Sequence, residues 1–501
     1  MNNNVIKMSK EQLEAINCEL RVVSIQAPAG SGKTTLLENY VKKRENSKFL
    51  YCSFGRDIVR ATNISKFKNV ECKTIHSIAY NQIGFKYKNK IKPKLEIKDI
   101  LSYARLPINK KTLYVARAVL ETLSEFNFSS DLDSEIFFEG YVNETFDSFR
   151  NEIIEYSNVF WNSSINVKTK TPITHDTYLK LFQMNPVILN YDYFLFDEAQ
   201  DGNQAMLSLL MYQIKKTNDK KIVLVGDKYQ SIHAFRGSVN VFENITPSKS
   251  FYLKKSYRFG ENIASVINDI LVFLDSEVLV EGVSDNKGLL EAKTDRKTII
   301  SRSNATLFNR AIKLSEKNIS FSFLGGIEKY NFEIIRDIYY LKRKMKKKII
   351  NPFILNFDSF NDLENFAIKF KEREIIYFCN LVKQRENIPN LLNKILSVSK
   401  NVNNNSIVLT NVHKAKGLEF DNVELTNDFY SPFNSHGELK RKINFEEIRV
   451  LYVAASRAKN NLIRNKVLLD LHDYNKNIKI TKKSDKKENN DIVFIDNISK
   501  R

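Results

Sequence analysis

Arg21-Val22-Val23-Ser24-Ile25-Gln26-Ala27-Pro28-Ala29-Gly30-Ser31-Gly32-Lys33-Thr34-Thr35-Leu36-Leu37 reads as a short apolar strand, a glycine-rich loop and the opening of a helix. Ala27 to Thr34 fits a Walker A loop, A-P-A-G-S-G-K-T, with Ala27 in place of the first glycine. Gly30 and Gly32 allow backbone amides to curl around phosphate oxygens where a Cβ would obstruct the turn. Lys33 can reach β- and γ-phosphates, the Thr34 hydroxyl suits Mg²⁺, and the helix adds the positive end of its dipole. An isolated Gly/Ser loop could arise by chance, but strand, loop, Lys-Thr and helix in this order point to a nucleoside triphosphate site in an α/β fold.

The magnesium chemistry needs a second carboxylate. Tyr191-Asp-Tyr-Phe-Leu-Phe196 has the pattern of a buried strand and runs into Asp197-Glu198-Ala199-Gln200-Asp201. At the end of a parallel strand, Asp197 can hold Mg²⁺ through water and Glu198 can orient or deprotonate the attacking water. Gln200 and Asp201 lie just beyond and suit coupling. Acidic pairs such as Glu446-Glu447 lack a preceding apolar strand and read as surface charge.

The rest of the composition narrows the class. At 501 residues the chain exceeds one ordinary core, so two to four domains are expected. The net charge of +20 and pI near 9.4 favour a polyanionic partner, although a lysine-rich composition alone can reflect solvated faces. The sequence has no apolar run long enough to span a membrane and no secretory leader at its start, so a cytoplasmic protein with no membrane partner is expected. Cys18, Cys52, Cys72 and Cys379 are scattered, which argues against a zinc or iron–sulfur site and fits a reducing compartment.

From residue 9 to residue 458 the motifs resemble, in order, those of the UvrD/Rep-type superfamily 1 DNA helicases. Ser9-Lys-Glu-Gln12 is similar to the Q motif, whose Gln reads adenine. Phe54-Gly-Arg56 stands at the T-N-K segment, and Thr74-Ile-His76-Ser77 resembles T-F-H-S. Gly226-Asp227-Lys-Tyr-Gln230-Ser231-Ile-His233-Ala-Phe235-Arg236-Gly237 is similar to G-D-x-x-Q-S-I-Y-x-W/F-R-G. Further on, Ser256-Tyr257-Arg258 resembles N-Y-R, and Leu324-Gly325-Gly326 resembles V-G-G. Asn411-Val-His413-Lys-Ala-Lys416-Gly417-Leu418-Glu419-Phe420 is similar to T-x-H-x-x-K-G-L-E-F. Glu447-Ile-Arg449 to Arg457-Ala458 is similar to E-x-R-x-x-Y-V-A-x-T-R-A. Thr171-Pro-Ile-Thr174-His175-Asp176-Thr-Tyr178-Leu-Lys180 resembles an element of the F-box DNA helicase branch, although with Walker A beginning near residue 27 no F-box is expected in this sequence. The same stretch reads equally as an amphipathic helix burying Tyr178, Leu179, Leu181 and Phe182.

The resemblance implies a catalytic set of Lys33, Asp197, Glu198, Gln230, Arg258 and Arg457. It implies ATP contacts from Gln12, Ala29, Gly30, Ser31, Gly32, Lys33, Thr34, Thr35, Tyr257 and Glu419, with Thr34 and Asp197 on Mg²⁺. DNA contacts would come from Phe54, Arg56, Thr74, His76, His233, Phe235, Arg236 and His413. Phe235 is the expected base-stacking ring, with core packing as its alternative. His233 stands where the family has Tyr and offers a smaller, pH-sensitive platform. Neither His76 nor His413 has further ligands at metal-site spacing.

The implied fold is α/β: two RecA-like P-loop domains with parallel sheets, each interrupted by a mainly helical insertion. Domain 1A is expected over 1–80 and 185–245, with insertion 1B over 81–184. Domain 2A is expected over 250–330 and 405–470, with a reduced insertion 2B over 331–404 and a charged tail over 471–501. Only 44 residues follow Arg457, too few for a nuclease domain, so any nuclease is expected to be a separate protein.

Two readings stay open. One is an ATP-dependent helicase or translocase moving 3′→5′ on single-stranded DNA and engaging ss/dsDNA junctions, in repair, recombination or phage defence. The other is a DNA-sensing ATPase that translocates poorly and activates a partner nuclease or defence protein, as small helicases of this kind accompany nucleases in defence systems such as Gabija. A P-loop enzyme indifferent to DNA is disfavoured by the Gln230–Gly237 and Lys416–Phe420 segments.

Overall fold

A computed structural model describes residues 8–53, 62–107, 109–232, 241–400 and 407–488. Its contacts divide the chain into two units, residues 1–255 with 337–366, and residues 256–336 with 367–501.

The first unit is built on a six-stranded, wholly parallel sheet. Its strands are β1 (Val22–Gln26), β2 (Phe49–Ser53), β3 (Val70–Lys73), β4 (Tyr193–Asp197), β5 (Lys221–Gly226) and β6 (Lys249–Tyr252). They lie side by side in the order β3-β2-β4-β5-β1-β6. Parallel strands covered on both faces read as continuous apolar runs, and Tyr-Phe-Leu-Phe-Asp in β4 is buried throughout. The helix Lys33–Lys42 buries Leu36, Leu37, Tyr40 and Val41, one stripe at helical spacing, against Val23, Ile25, Leu195 and Val223. Strand register aligns Gln26, Gly226 and Asp197 along one edge, the carboxyl end of the sheet, where α/β sheets bind ligands.

Residues 84–184 are mainly helical. Helices Lys110–Phe128 and Arg150–Ile165 pack through Phe126 and Trp161, whose rings meet edge to face at 4.9 Å. The helix His175–Met184 leans on them and buries Tyr178, Leu179, Leu181 and Phe182. Lys180 is fully buried as well. Its ammonium donates to the Ser129 carbonyl at 3.0 Å and to the Asp131 carbonyl, and lies 4.2 Å from the Phe126 ring centre. A lysine survives burial here because it satisfies carbonyls at the end of a helix.

The second unit begins within β7 (Lys255–Ser256), which pairs with β8 (Glu281–Gly282). A second six-stranded parallel sheet follows, from β9 (Leu289–Leu290), β10 (Thr298–Ser301), β11 (Phe321–Phe323), β12 (Ile407–Asn411), β13 (Phe420–Leu425) and β14 (Ala458–Ile463). Its order is β11-β12-β10-β13-β14-β9. Two parallel sheets flanked by helices form the expected α/β architecture. The helix Lys466–Glu488 crosses residue 471, the expected start of the charged tail. It is held on the helix Glu261–Phe273 by His472 and Asn475, which both reach the Asp269 carboxylate, and by Tyr474 against Phe273. Among the described residues no helix is long and apolar enough to cross a membrane.

One buried arginine ties the start of the chain to the loop-bearing helix. Arg44 donates to the carbonyls of Ile16, Cys18 and Tyr40, pairs with Glu19 at 2.6 Å and stacks 3.8 Å from the Tyr40 ring centre. Burial acts to raise the Glu19 carboxyl, but Lys221, Arg44 and Tyr193 outweigh it and hold the group at about 2. Arg44→Ala removes these bonds, leaving Cys18 only the long contact from the Tyr40 hydroxyl, and is expected to cost about 3 kcal/mol, read as a lower urea midpoint. Arg44→Lys should restore little of this, because it lacks the guanidinium fork.

Candidate nucleotide site and strand-contact elements

The glycine loop takes the form its sequence demands. Gly30 and Gly32 have φ of 75° and 77°, in the left-handed region where L side chains are strained. Gly32 caps the helix that begins at Lys33, while Thr34 at its first turn is exposed. The Ser31 hydroxyl is buried and, among the described residues, has no hydrogen-bond partner. A loop with two left-handed glycines and a buried, unused hydroxyl fits a phosphate group. Gln12 secures this loop from outside: its side-chain amide donates to the Ser31 carbonyl at 3.2 Å, and its oxygen accepts from the Ser9 amide in a capping box.

Opposite the loop stands a cluster of carboxylates. The Lys33 ammonium lies 3.3 Å from Glu198. Burial acts to lower its pKa, but the charges of Glu198, Asp197 and Asp227 outweigh that effect and raise it. Asp197 is buried at the end of β4, accepting from the Tyr51 hydroxyl at 2.7 Å and from the Glu198 amide at 2.9 Å. Desolvation and the neighbouring Glu198 charge push its pKa up, only partly offset by Lys33 and Tyr51. Glu198 adopts φ 53°, ψ 44°, a left-handed conformation costing roughly 1–3 kcal/mol in a non-glycine residue, and such strain concentrates at functional sites.

Gln200 connects this cluster to the next strand end. Its amide donates to Glu198 at 2.6 Å, and its oxygen accepts from the Asp227 backbone amide at 3.1 Å. Asp227 in turn accepts from the Gln230 side chain at 2.9 Å. The chain Lys33–Glu198–Gln200–Asp227–Gln230 therefore spans three strand ends. Gly226 permits it: a Cβ there would lie 2.2 Å from the Gln200 oxygen.

In the second unit Arg258 donates to Glu419 at 2.9 Å and to the Ser456 carbonyl at 2.9 Å. Arg457 is fully buried, its guanidinium spent on the Val453 and Leu418 carbonyls and the Ser456 hydroxyl. Tyr257 is 43% exposed beside Arg258. His413 lies 3.5 Å from Arg302, which makes a two-pronged pair with Glu447 that Arg373 joins. Burial acts to raise the Glu447 carboxyl, and both arginines overcome it and lower its pKa. Glu447, read from sequence as surface charge alongside Glu446, is thus the buried partner of two arginines.

Thr74 caps the helix Ile75–Gln82 through its bond from the Ser77 amide, and His76 in the first turn meets Asp176. Phe54, Arg56, His233, Phe235 and Arg236 lie outside the described residues. Tyr51, Asp227, Gly226, Arg302 and Arg373 were not singled out for roles of their own in the sequence. Gly226 and Asp227 stood within a quoted motif; nothing local marks the other three.

Residues 62–466 match the UvrD-like helicase C-terminal domain family. The chain is 31% identical to the F-box DNA helicase 1 of Gallus gallus over 92% of its own length and 49% of that protein. It is 29% identical to the F-box DNA helicase protein 1 of Schizosaccharomyces pombe over 94% of itself and 58% of that relative. The Gabija protein GajB of Bacillus cereus is 23% identical over 93% of this chain and 96% of its own length. The chain thus spans about half the length of the F-box relatives it matches. With the motifs, the paired parallel sheets and these likenesses together, the chain belongs to the UvrD-like superfamily 1 helicases, a family of ATP-dependent DNA helicases.

Proposed function

We propose that this chain hydrolyses ATP to move 3′→5′ along single-stranded DNA and to act at ss/dsDNA junctions. The observation that carries the ATPase reading is the Lys33–Glu198–Gln200–Asp227–Gln230 chain at the carboxyl edge of the first sheet. Lys33 is assigned to the β- and γ-phosphates, and the Gly30 and Gly32 backbone to the phosphate cradle. Thr34 and Asp197 would hold Mg²⁺, whose role when bound is to neutralise developing phosphate charge. Glu198 is placed to orient or deprotonate the attacking water, and Gln200 reports its state to Gln230. Gln12, Ala29, Ser31, Thr35, Tyr257 and Glu419 are the remaining nucleotide contacts, and Arg258 and Arg457 are the γ-phosphate arginines, all on the resemblance. The same resemblance assigns DNA contacts to Thr74, His76 and His413 and to Phe54, Arg56, His233, Phe235 and Arg236. It divides the chain into 1A, 1B, 2A and 2B at the boundaries given above.

A second reading is supported by the likeness to GajB along nearly that protein's whole length. In it the chain senses DNA and its ATPase activates a partner nuclease or defence protein. Purified chain on a forked duplex separates the two. Strand separation with ATP supports the helicase; ATPase stimulated by single-stranded DNA without separation supports the sensor.

Lys33→Ala should abolish ATP turnover in a phosphate-release assay while single-stranded DNA binding by fluorescence anisotropy stays near the parent value. Retained turnover would overturn the phosphate assignment. Gly226→Ala should displace Gln200 and lower kcat by about a hundredfold, the scale of a small misplacement at a reacting centre. A parent-like kcat in a variant with a parent-like melting temperature would remove Gln200 from the mechanism.

A further inference from the structure

The stretch Thr174-His175-Asp176-Thr177-Tyr178-Leu179-Lys180 has no part in the nucleotide site, yet it is tightly engaged. Thr174 caps the helix His175–Met184 in a capping box with Thr177. Asp176 accepts from the His76 Nε2 at 2.9 Å, a link across 100 residues between the helical insertion and the helix Ile75–Gln82. Tyr178 stands edge-on to both His76 and Tyr80, with ring centres at 6.5 and 5.8 Å. Its hydroxyl meets the His175 Nδ1 at 2.9 Å. Gly84 closes this cage, since a Cβ there would come within 3.0 Å of both Tyr178 and Tyr80. The His76 side chain is 21% exposed, so it is held on one side and open on another.

We propose that Asp176 is the positioning residue for a DNA-strand contact made by His76, with Tyr178 as the wall that fixes the imidazole plane. The inference rests on the reading above that His76 touches the strand. A carboxylate on Nε2 fixes the ring's tautomer and orientation, as carboxylates do for functional histidines elsewhere. The competing role is electrostatic: a carboxylate beside a phosphate track repels the strand, and removing it would tighten binding. Asp176 is not the helix cap, so its replacement leaves the Thr174 capping box in place.

The experiment measures the concentration of oligo-dT giving half-maximal ATPase stimulation for the parent, His76→Ala, Asp176→Ala, Asp176→Asn and the double variant His76→Ala/Asp176→Ala, with melting temperatures as fold controls. Asp176→Ala should raise that concentration about fivefold, the worth of one hydrogen bond, without lowering the maximal stimulated rate. Asp176→Asn, which keeps an acceptor oxygen, should recover most of the loss. In the His76→Ala background Asp176→Ala should add nothing. If His76→Ala weakens DNA response but Asp176→Ala does not, or tightens it, the positioning role is overturned while the strand contact stands. If His76→Ala itself changes nothing, the strand-contact reading falls and this inference with it.

Discussion

One ammonium set among three carboxylates governs the carboxyl edge of the first sheet. Lys33 faces Glu198, Asp197 and Asp227 in a recess where charge is poorly screened, so each group's state depends on the others. The arrangement carries excess negative charge that only further cations or donors can balance. Donors turn inward accordingly: the Glu198 amide and the Tyr51 hydroxyl both bond Asp197, while the Asp227 amide is taken up by the neutral Gln200 oxygen. The left-handed turn at Glu198 follows from the same demand, since it brings an amide and a carboxylate to the cluster from one residue.

Parts of this were legible because they are contiguous in the chain. A glycine loop between a strand and a helix, or two acids after an apolar run, declares itself within a dozen residues. Tyr51 did not, because its partner Asp197 is 146 residues away and a tyrosine in an apolar strand reads as core. Glu447 misread for a similar reason: an acidic pair at a helix start looks solvated until Arg302 and Arg373 arrive from distant segments. The helix running to Glu488 was hidden by a lysine-rich composition. Its first turns are fixed instead by His472, Tyr474 and Asn475 docking on a neighbouring helix.

The Thr174–Lys180 stretch shows why two readings of one motif can both hold. Its apolar residues bury as an amphipathic helix must, while Thr174, Asp176 and Lys180 each find a distinct partner outside that stripe. Burial sets the helix in place, and the polar residues determine what the placement is for. Gly84 and Gly226 belong to the same logic, since each leaves room for a neighbour's side chain that a methyl group would evict.

Lys180 carries one more consequence. Burial lowers its pKa to about 8, its ammonium is held by the Ser129 and Asp131 carbonyls, and the side chain has no exposed surface. Amine-acylating reagents can reach it only when the helix His175–Met184 lifts from Ser129 and Asp131. The rate at which that one lysine becomes labelled is therefore a clock for breathing of the insertion, readable by mass spectrometry without any engineered probe.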